Sequence, residues 1–494
     1  MSCMSSLADA ILRIIHHEYH AYFQRNQAGS ETDEPGKASG PSPSPGDAGN
    51  GGACVACVIA YRENETVFER CLRSYTELGT SCKAFVLGVD GDGPDDLAMT
   101  AVFKKAFGYS PQVHALRFGK PLGMLAEHLY QKSRLGHAQS TNGTVNHEQY
   151  ALQGVLLHIR EALEPILASF FNNGGTSADK MLSICFSQPH VGIKEIRFAT
   201  WAVSMVVSTE LRLGYLWSSD SDTVVPGESV ARAISLLGRS EGAGAASTAL
   251  AILNREESLM ARLCAVYFRS SVYLDRSVLA TYGQCPVVTG PSALFRVHAL
   301  KDVVVPWYRQ RDINEDAHIA TQLGLHGWKR LYLNNKLTYT ESKTTLVSWV
   351  KQQIRWKKSS HLEIIANPLY NTTSGLLFFW WRAREVVVEL LLFTEIIHYA
   401  TTGHLSILIQ SLPGNIGLQF AVSVLCLAVY NILRSPEKVG KTGDLLLLPL
   451  SIVLQMFIMP FANVWAAVTL HLDRLVYTRR GSDIQGGIHY WPHL

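Results

Sequence analysis

The chain has 494 residues, enough for about two or three domains or for one large domain plus a membrane part. Its formal net charge of +3 excludes a dedicated nucleic-acid binder, and its nine scattered cysteines suit a reducing compartment rather than a disulfide scaffold. Hydrophobic residues make up 47 % and charged residues only 17 %, a deficit of charge concentrated toward the C-terminus.

Residues 1–26 contain no run apolar enough for a signal peptide or a membrane span. Leu7, Ile11, Ile14 and Ile15 recur at helical spacing and predict an amphipathic docking helix, with His16, His17 and His20 on or near its flank. Residues 27–52 are rich in Gly, Ser, Pro and Asp and predict a disordered linker. From Ala53 the pattern changes to strands alternating with helices: strand 53–61, helix 66–78, strand 83–91 and helix 95–108. That alternation specifies an α/β domain with a largely parallel sheet. Cys54 and Cys57 form a C-x-x-C inside the first strand, and with no second pair the spacing predicts buried packing rather than zinc.

The stretch at 213–223 ends an apolar strand in Asp220-Ser221-Asp222. Two carboxylates so close ionise together only against a counter-charge, and a hard divalent ion that bridges to phosphates supplies one. D-x-D alone is also a common polar turn, so its neighbours decide. In parallel sheets ligands sit at the carboxyl ends of strands. Tyr61 and Glu63 follow the first strand, Asp90 ends the second, and Asp220 and Asp222 follow a later one, so three strand ends converge on one edge.

Residues 133–180 predict an insertion near that edge around one helix at 150–171. Lys194 and Arg197, three residues apart on the next helix, share a face that could meet a diphosphate or simply water. Helices are predicted at 228–237 and 260–279, and Thr289-Gly290-Pro291 predicts a tight turn between a strand and a helix. Glu315 and Asp316 precede a helix whose dipole favours a first-turn carboxylate, a capping role that does not exclude chemistry. After a strand at 329–333, the helix at 346–365 places Gln352, Arg355 and Trp356 at i, i+3 and i+4, so one face presents an amide, a guanidinium and an indole. The indole could stack on a sugar or base and the guanidinium could bind phosphate, while Lys351, Lys357 and Lys358 suit a membrane interface.

Three apolar stretches follow, at 386–400, 416–433 and 445–472. The first carries Glu389, Glu395 and His398. Arg434, Lys438 and Lys441 follow the second stretch and Arg474, Arg479 and Arg480 the third, and the positive-inside rule makes both basic segments cytoplasmic. Two spans satisfy that rule. The third stretch, interrupted by Pro449 and Pro460, is therefore predicted as an interfacial or re-entrant pair of helices.

In order, the motifs are Y-R-E at Tyr61–Glu63, V-D-G at Val89–Gly91, D-S-D at Asp220–Asp222, T-G-P at Thr289–Pro291, E-D at Glu315–Asp316, Q-Q-I-R-W at Gln352–Trp356 and Y-T-R-R-G at Tyr477–Gly481. This combination resembles the membrane-embedded family-2 glycosyltransferases, closest to the hyaluronan synthases, with chitin and cellulose synthases as relatives. The similarity runs from about residue 54 to about residue 482, apart from 133–180. The resemblance implies a GT-A catalytic domain over 53–345, an interfacial helix over 346–375, a membrane region over 376–475 and a cytoplasmic tail over 476–494 with the gating-loop-like motif, where Tyr477 stands in the usual place of Trp.

It further implies inverting transfer of a sugar from a UDP-sugar, assisted by Mg or Mn. Tyr61, Glu63 and Asp90 would hold the nucleoside, Asp220 the ribose and diphosphate, and Asp222, with Asp220, the metal. Lys194 and Arg197 would lie beside the donor, and Arg479 or Arg480 would close over it. Asp316, next to Glu315, would take the proton of the acceptor hydroxyl. Gln352, Arg355 and Trp356 would frame diphosphate and acceptor, with Gly290 and Pro291 on the acceptor side. The expected partners are a UDP-sugar, a carbohydrate, lipid or small-molecule acceptor and the bilayer, with the catalytic domain cytoplasmic. Two spans from one protomer do not line a pore, so the expectation is either a homo-oligomer making polysaccharide or an enzyme adding one or a few sugars to a membrane acceptor. A non-catalytic scaffold would have lost its acids, and here they are present.

Overall fold

The computed structural model of the chain describes residues 52–108, 112–137, 146–174, 180–288, 290–310, 315–373, 397–404, 412–434 and 446–471, with isolated residues between 379 and 395 and Asp444. The expected helix at 1–26, nearly all of the linker, most of the stretch at 386–400, and Thr289, Arg479 and Arg480 lie outside the described residues. The described residues divide into two compact units, one formed by 52–245 and 290–310, the other by 246–288 and 315–471.

Eight strands are described: β1 (Cys54–Ala60), β2 (Cys82–Asp90), β3 (Val113–Arg117), β4 (Leu182–Gln188), β5 (Tyr215–Ser219), β6 (Ala243–Ile252), β7 (Ala293–Arg296) and β8 (Lys329–Thr340). In the first unit the order is β3-β4-β2-β1-β5-β7. The first five of these are mutually parallel and β7 runs antiparallel beside β5. Parallel pairing with connecting helices is the α/β architecture that the strand–helix alternation specifies.

Helices cover both faces of this sheet. Successive residues of a strand point to opposite faces, so Phe85 and Gly88 of β2 serve different layers. Phe85 packs with Tyr75, Phe103 and Phe107 from helices Glu65–Thr76 and Pro94–Phe107. Gly88 lets helix Ile193–Glu210 approach, and a Cβ there would lie 2.0 Å from Thr200 Oγ1. That hydroxyl is tied to the Ile196 carbonyl at 2.7 Å and cannot simply swing away. Gly88→Ala should therefore destabilise the protein by about 1–3 kcal/mol through overpacking, read as a lowered midpoint of thermal unfolding.

The expected insertion contains helix His147–Asn172, which is longer than the predicted 150–171 and packs on helices Leu122–His137 and Ile193–Glu210. Its residues Ala151, Val155, Ile159 and Leu163 are fully buried, so it is a core layer of the first unit. The two cysteines of the C-x-x-C are buried free thiols within β1, and burial pushes Cys57 up to about 12.

In the second unit β6 and β8 are neighbours, with Thr248 and Thr338 hydroxyls 2.6 Å apart. β8 extends to Thr340, well past the predicted end at 333. The helix expected at 260–279 is instead Leu259–Tyr267, a π-helical turn Phe268–Val272 and helix Tyr273–Ala280. In that turn Arg269 pairs with the buried Asp444 at 2.7 Å, a contact between residues far apart in the chain and invisible to local periodicity. Helix Leu346–Ala366 packs on helix Leu448–Val468, with Trp349 buried in a cluster with Met260, Leu263 and Cys264 that Leu454 and Ile458 flank.

One membrane expectation needs correction. The residues expected to form a pair of helices at 445–472 form a single continuous helix, Leu448–Val468. Pro449 falls in its first turn, where the missing N–H has no intrahelical acceptor anyway, and Pro460 is accommodated inside. Among the described residues it is the one helix long and apolar enough, by length and composition, to cross a membrane, with a mean hydropathy of 1.7. Helix Leu412–Arg434 covers the second predicted stretch, with its apolar part at Phe420–Tyr430.

Candidate active site

In the first unit the parallel strands deliver their carboxyl ends to one edge, and the acids predicted there arrive together. Asp90, at the end of β2, pairs opposite Gln188 at the end of β4. Its side chain is almost wholly buried, with one oxygen 2.9 Å from His190 Nδ1 and the other accepting from Val191 N at 3.2 Å. The His190 ring stacks on Tyr61 with centroids 4.4 Å apart and planes only 12° from parallel. Arg62 follows with a positive φ of 48°, its guanidinium 5.0 Å from the Tyr61 ring centre and its Nε 2.7 Å from Asp96. Asn64 then caps helix Glu65–Thr76 by accepting from Thr66 N and Val67 N, which turns the chain and leaves Glu63 at the edge. The result is an aromatic shelf beside a buried acid.

The D-S-D turn follows β5. The nearly buried Arg197 donates to Asp220 at 2.9 Å, and Asp222 accepts from Thr223 Oγ1 at 3.3 Å. Beneath them burial pushes the Cys71 thiol upward, and the negative charges of Asp222, Glu63 and Asp220 add to that push. Three carboxylates from two strand ends thus act on one buried point. Residues of this kind fit a hard cation: Asp222 offers oxygen, Asp220 is shared with an arginine, and few protein ligands leave positions for water and diphosphate. Among the described residues no group of three or more His, Cys, Asp or Glu forms a complete metal cage. Ser219 Oγ donates to the Pro291 carbonyl at 2.8 Å, which fixes Gly290-Pro291 beside the end of β5. The turn thus leads into β7, and helix Val297–Arg309 follows that strand.

The basic pair separates. Arg197 goes to Asp220, whereas Lys194 donates to the Gln310 carbonyl and lies 5.1 Å from the Trp307 ring centre. Between them in sequence, Glu195 is fully buried and accepts from Gly123 N at 2.6 Å and from the Tyr308 hydroxyl. Burial pushes its carboxyl above the usual range, against the hydrogen bonds from Tyr308 and Gly123 that lower it. A raised folded-state value means stability that is complete below the unfolded carboxylate range and is lost as pH rises through the folded value. Glu195→Gln should flatten that fall in a series of melting temperatures taken from pH 4 to 7; an unchanged slope would count against Glu195 as its source.

In the second unit, helix Glu315–Leu325 opens with half-buried Glu315 and Asp316, and the Asp316 carbonyl accepts from Val288 N at 3.2 Å. Helix Leu346–Ala366 begins at a Thr345 cap and presents half-buried Gln352, Arg355 and Trp356. The structure therefore brings together Tyr61, Glu63, Asp90, Arg197, Asp220, Asp222 and Pro291 in one unit and the E-D and Q-Q-I-R-W helices in the other. His190, Arg62 and Asp96 join the candidate site through Asp90 and Tyr61 and were not singled out from the sequence. His190 was findable, because it follows the end of β4 as Asp90 ends β2; Asp96 had no signal beyond an acidic first helical turn.

The chain as a whole has relatives among known proteins. The chain is 22 % identical to hyaluronan synthase 2 of Xenopus laevis over 338 residues, covering 67 % of this chain and 54 % of that protein. It is 22 % identical to hyaluronan synthase 3 of Homo sapiens over 343 residues, covering 68 % and 54 %. The chain thus spans about half the length of the curated relatives it matches. The family described as glycosyl transferase family group 2 matches residues 219–468. Half of the chain, from the last residue of β5 to the end of the long apolar helix, follows that pattern, and the chain belongs to glycosyl transferase family group 2.

Proposed function

We propose that the protein transfers a hexosyl unit from a UDP-sugar to an acceptor hydroxyl at a membrane, with inversion, in a hyaluronan-synthase-like synthesis of polysaccharide. The observation that carries this reading is the convergence of Glu63, Asp90, Asp220 and Asp222 with Arg197 and the Tyr61 shelf at one sheet edge, in a chain of this family. Tyr61 supplies a flat face for the uracil and Asp90 an acceptor for its N–H. Asp222, with Asp220, would hold Mg or Mn, which neutralises the charge of the departing diphosphate. Arg197 orients Asp220, and Arg355 adds positive charge toward the leaving group, as Arg479 or Arg480 would. Asp316 takes the acceptor's proton as its oxygen bonds to the anomeric carbon and the bond to UDP breaks. Inversion in a single displacement needs only that one base. Acceptor binding is assigned to Gln352 and Trp356 and, separately, to Gly290 and Pro291. Helix Leu448–Val468, long and apolar enough by length and composition to cross a bilayer, supports a membrane-bound enzyme.

The direct test incubates purified protein with each UDP-hexose and Mg or Mn, reading UDP release and product mass. High-mass, hydrolase-sensitive product supports polymer synthesis; a low-mass glycoside would replace it with single transfer to a lipid or small molecule; no UDP release from any donor removes the reading. Tyr61→Ala should weaken UDP binding roughly tenfold, since stacking a base on an aromatic ring is worth about 1–3 kcal/mol. Calorimetric titration with UDP checks this, and an unchanged affinity would take Tyr61 out of the nucleobase site.

A further inference from the structure

We infer that His318 and Glu363 form a buried clasp that sets the rotation of the helix bearing Asp316 against the helix bearing Gln352 and Trp356, which makes both of them positioning residues for transfer. The inference rests on the proposed roles of those three residues. His318 Nδ1 lies 3.0 Å from Glu363 Oε2, across 45 residues of chain, and the two side chains are only 2 % and 4 % exposed. The other carboxylate oxygen accepts from Asn367 Nδ2 at 2.8 Å, so Glu363 is held at both ends. With Glu363 ionised the carboxylate only accepts, and Nδ1 is then the donor of the pair. Among the described residues Nε2 of His318 has no hydrogen-bond partner, which leaves Glu363 as the polar anchor of the ring.

Position on the helices gives this contact its leverage. Asp316 and His318 are two residues apart, about 200° around the helix, so the clasp grips the back while the half-buried Asp316 faces the opposite way. On the partner helix Glu363 lies seven residues beyond Trp356 and eleven beyond Gln352, each within about 20° of the same stripe. The clasp therefore holds the face that carries the acceptor-side residues. A carboxylate about 6 Å from a helix axis moves about 1 Å when the helix rolls by about 10°, given helix dimensions of that order. A misplacement of about 1 Å can cost about a hundredfold in rate. Two apolar side chains would stabilise the contact at less desolvation cost, but without fixing the roll, because apolar packing is non-directional.

The test compares full-length wild type with His318→Ala, Glu363→Ala, the double variant and His318→Asn, whose side-chain amide restores an N–H near the position of Nδ1. Each single alanine should lower turnover at saturating donor roughly 30- to 100-fold, as expected for a shift near 1 Å, while UDP affinity stays within about twofold. The double variant should be no worse than either single, and His318→Asn should recover most of the loss. Hydrogen exchange should quicken in helix Glu315–Leu325 and stay unchanged in helix Ile193–Glu210. Multiplicative losses in the double variant, a His318→Asn protein as slow as His318→Ala, or exchange in 315–325 equal to wild type would each overturn the clasp. Should an alanine variant lose UDP binding through misfolding, His318→Asn alone decides. If wild type turns over no donor, the transfer reading falls, and exchange in 315–325 still scores the clasp by itself.

Discussion

Asp316→Asn is expected to lower sugar transfer by about 10²–10⁴-fold, the usual worth of a positioned general base, while UDP binding stays within about twofold. The asparagine keeps the shape, and its carbonyl can still accept a hydrogen bond. It cannot hold the acceptor's proton as the new bond forms. Asp316 opens helix Glu315–Leu325, where a carboxylate also favours the helix dipole, so a purely structural Asp316 predicts a different outcome. In that case Asn, itself a tolerated residue near a helix start, would cost little stability and leave turnover nearly intact. Product formation at saturating donor and UDP titration on the same sample separate the two. Unchanged turnover would remove Asp316 from the chemistry.

Asp222→Ala is expected to raise the apparent dissociation constant for a UDP-sugar by about 10- to 100-fold in the presence of Mg or Mn, in line with the loss of a directly coordinating or closely coupled group. Without added metal the variant and wild type should bind UDP alike. The physical basis is local: Asp222 and Glu63 add negative charge around Cys71, whereas Asp220 already has Arg197 as its partner at 2.9 Å. Removing Asp222 therefore takes away the carboxylate whose charge acts most strongly at Cys71. A variant that retains wild-type metal enhancement would refute the ligand assignment, even if its activity were low.

The first unit was largely legible because its signals are local. Apolar runs of strand length alternating with amphipathic helices recur from residue 54 onward, and each predicted strand there exists within a residue or two. Asp90 and Asp220 were readable for the same reason, since parallel strands end on one side. Elsewhere local signals misled. Pro449 and Pro460 looked like helix breaks, but one lies in a first turn and the other inside a continuous helix packed on helix Leu346–Ala366. The π-helical turn at Phe268–Val272 interrupts a stretch whose periodicity alone read as unbroken. Lys194 and Arg197 share a face by spacing, yet different neighbours claim them.

Taken alone, the amino-acid order determined the α/β architecture, the edge at which acids collect and the helices that carry the E-D and Q-Q-I-R-W motifs, because period and strand direction are properties of short segments. Tertiary structure decided which charges meet. His190 on Asp90, Arg197 on Asp220 and His318 on Glu363 join residues 100, 23 and 45 positions apart by numbering. No local propensity encodes such pairs; they follow from burial, which favours pairing of polar groups that leave water wherever the packed chain supplies a partner.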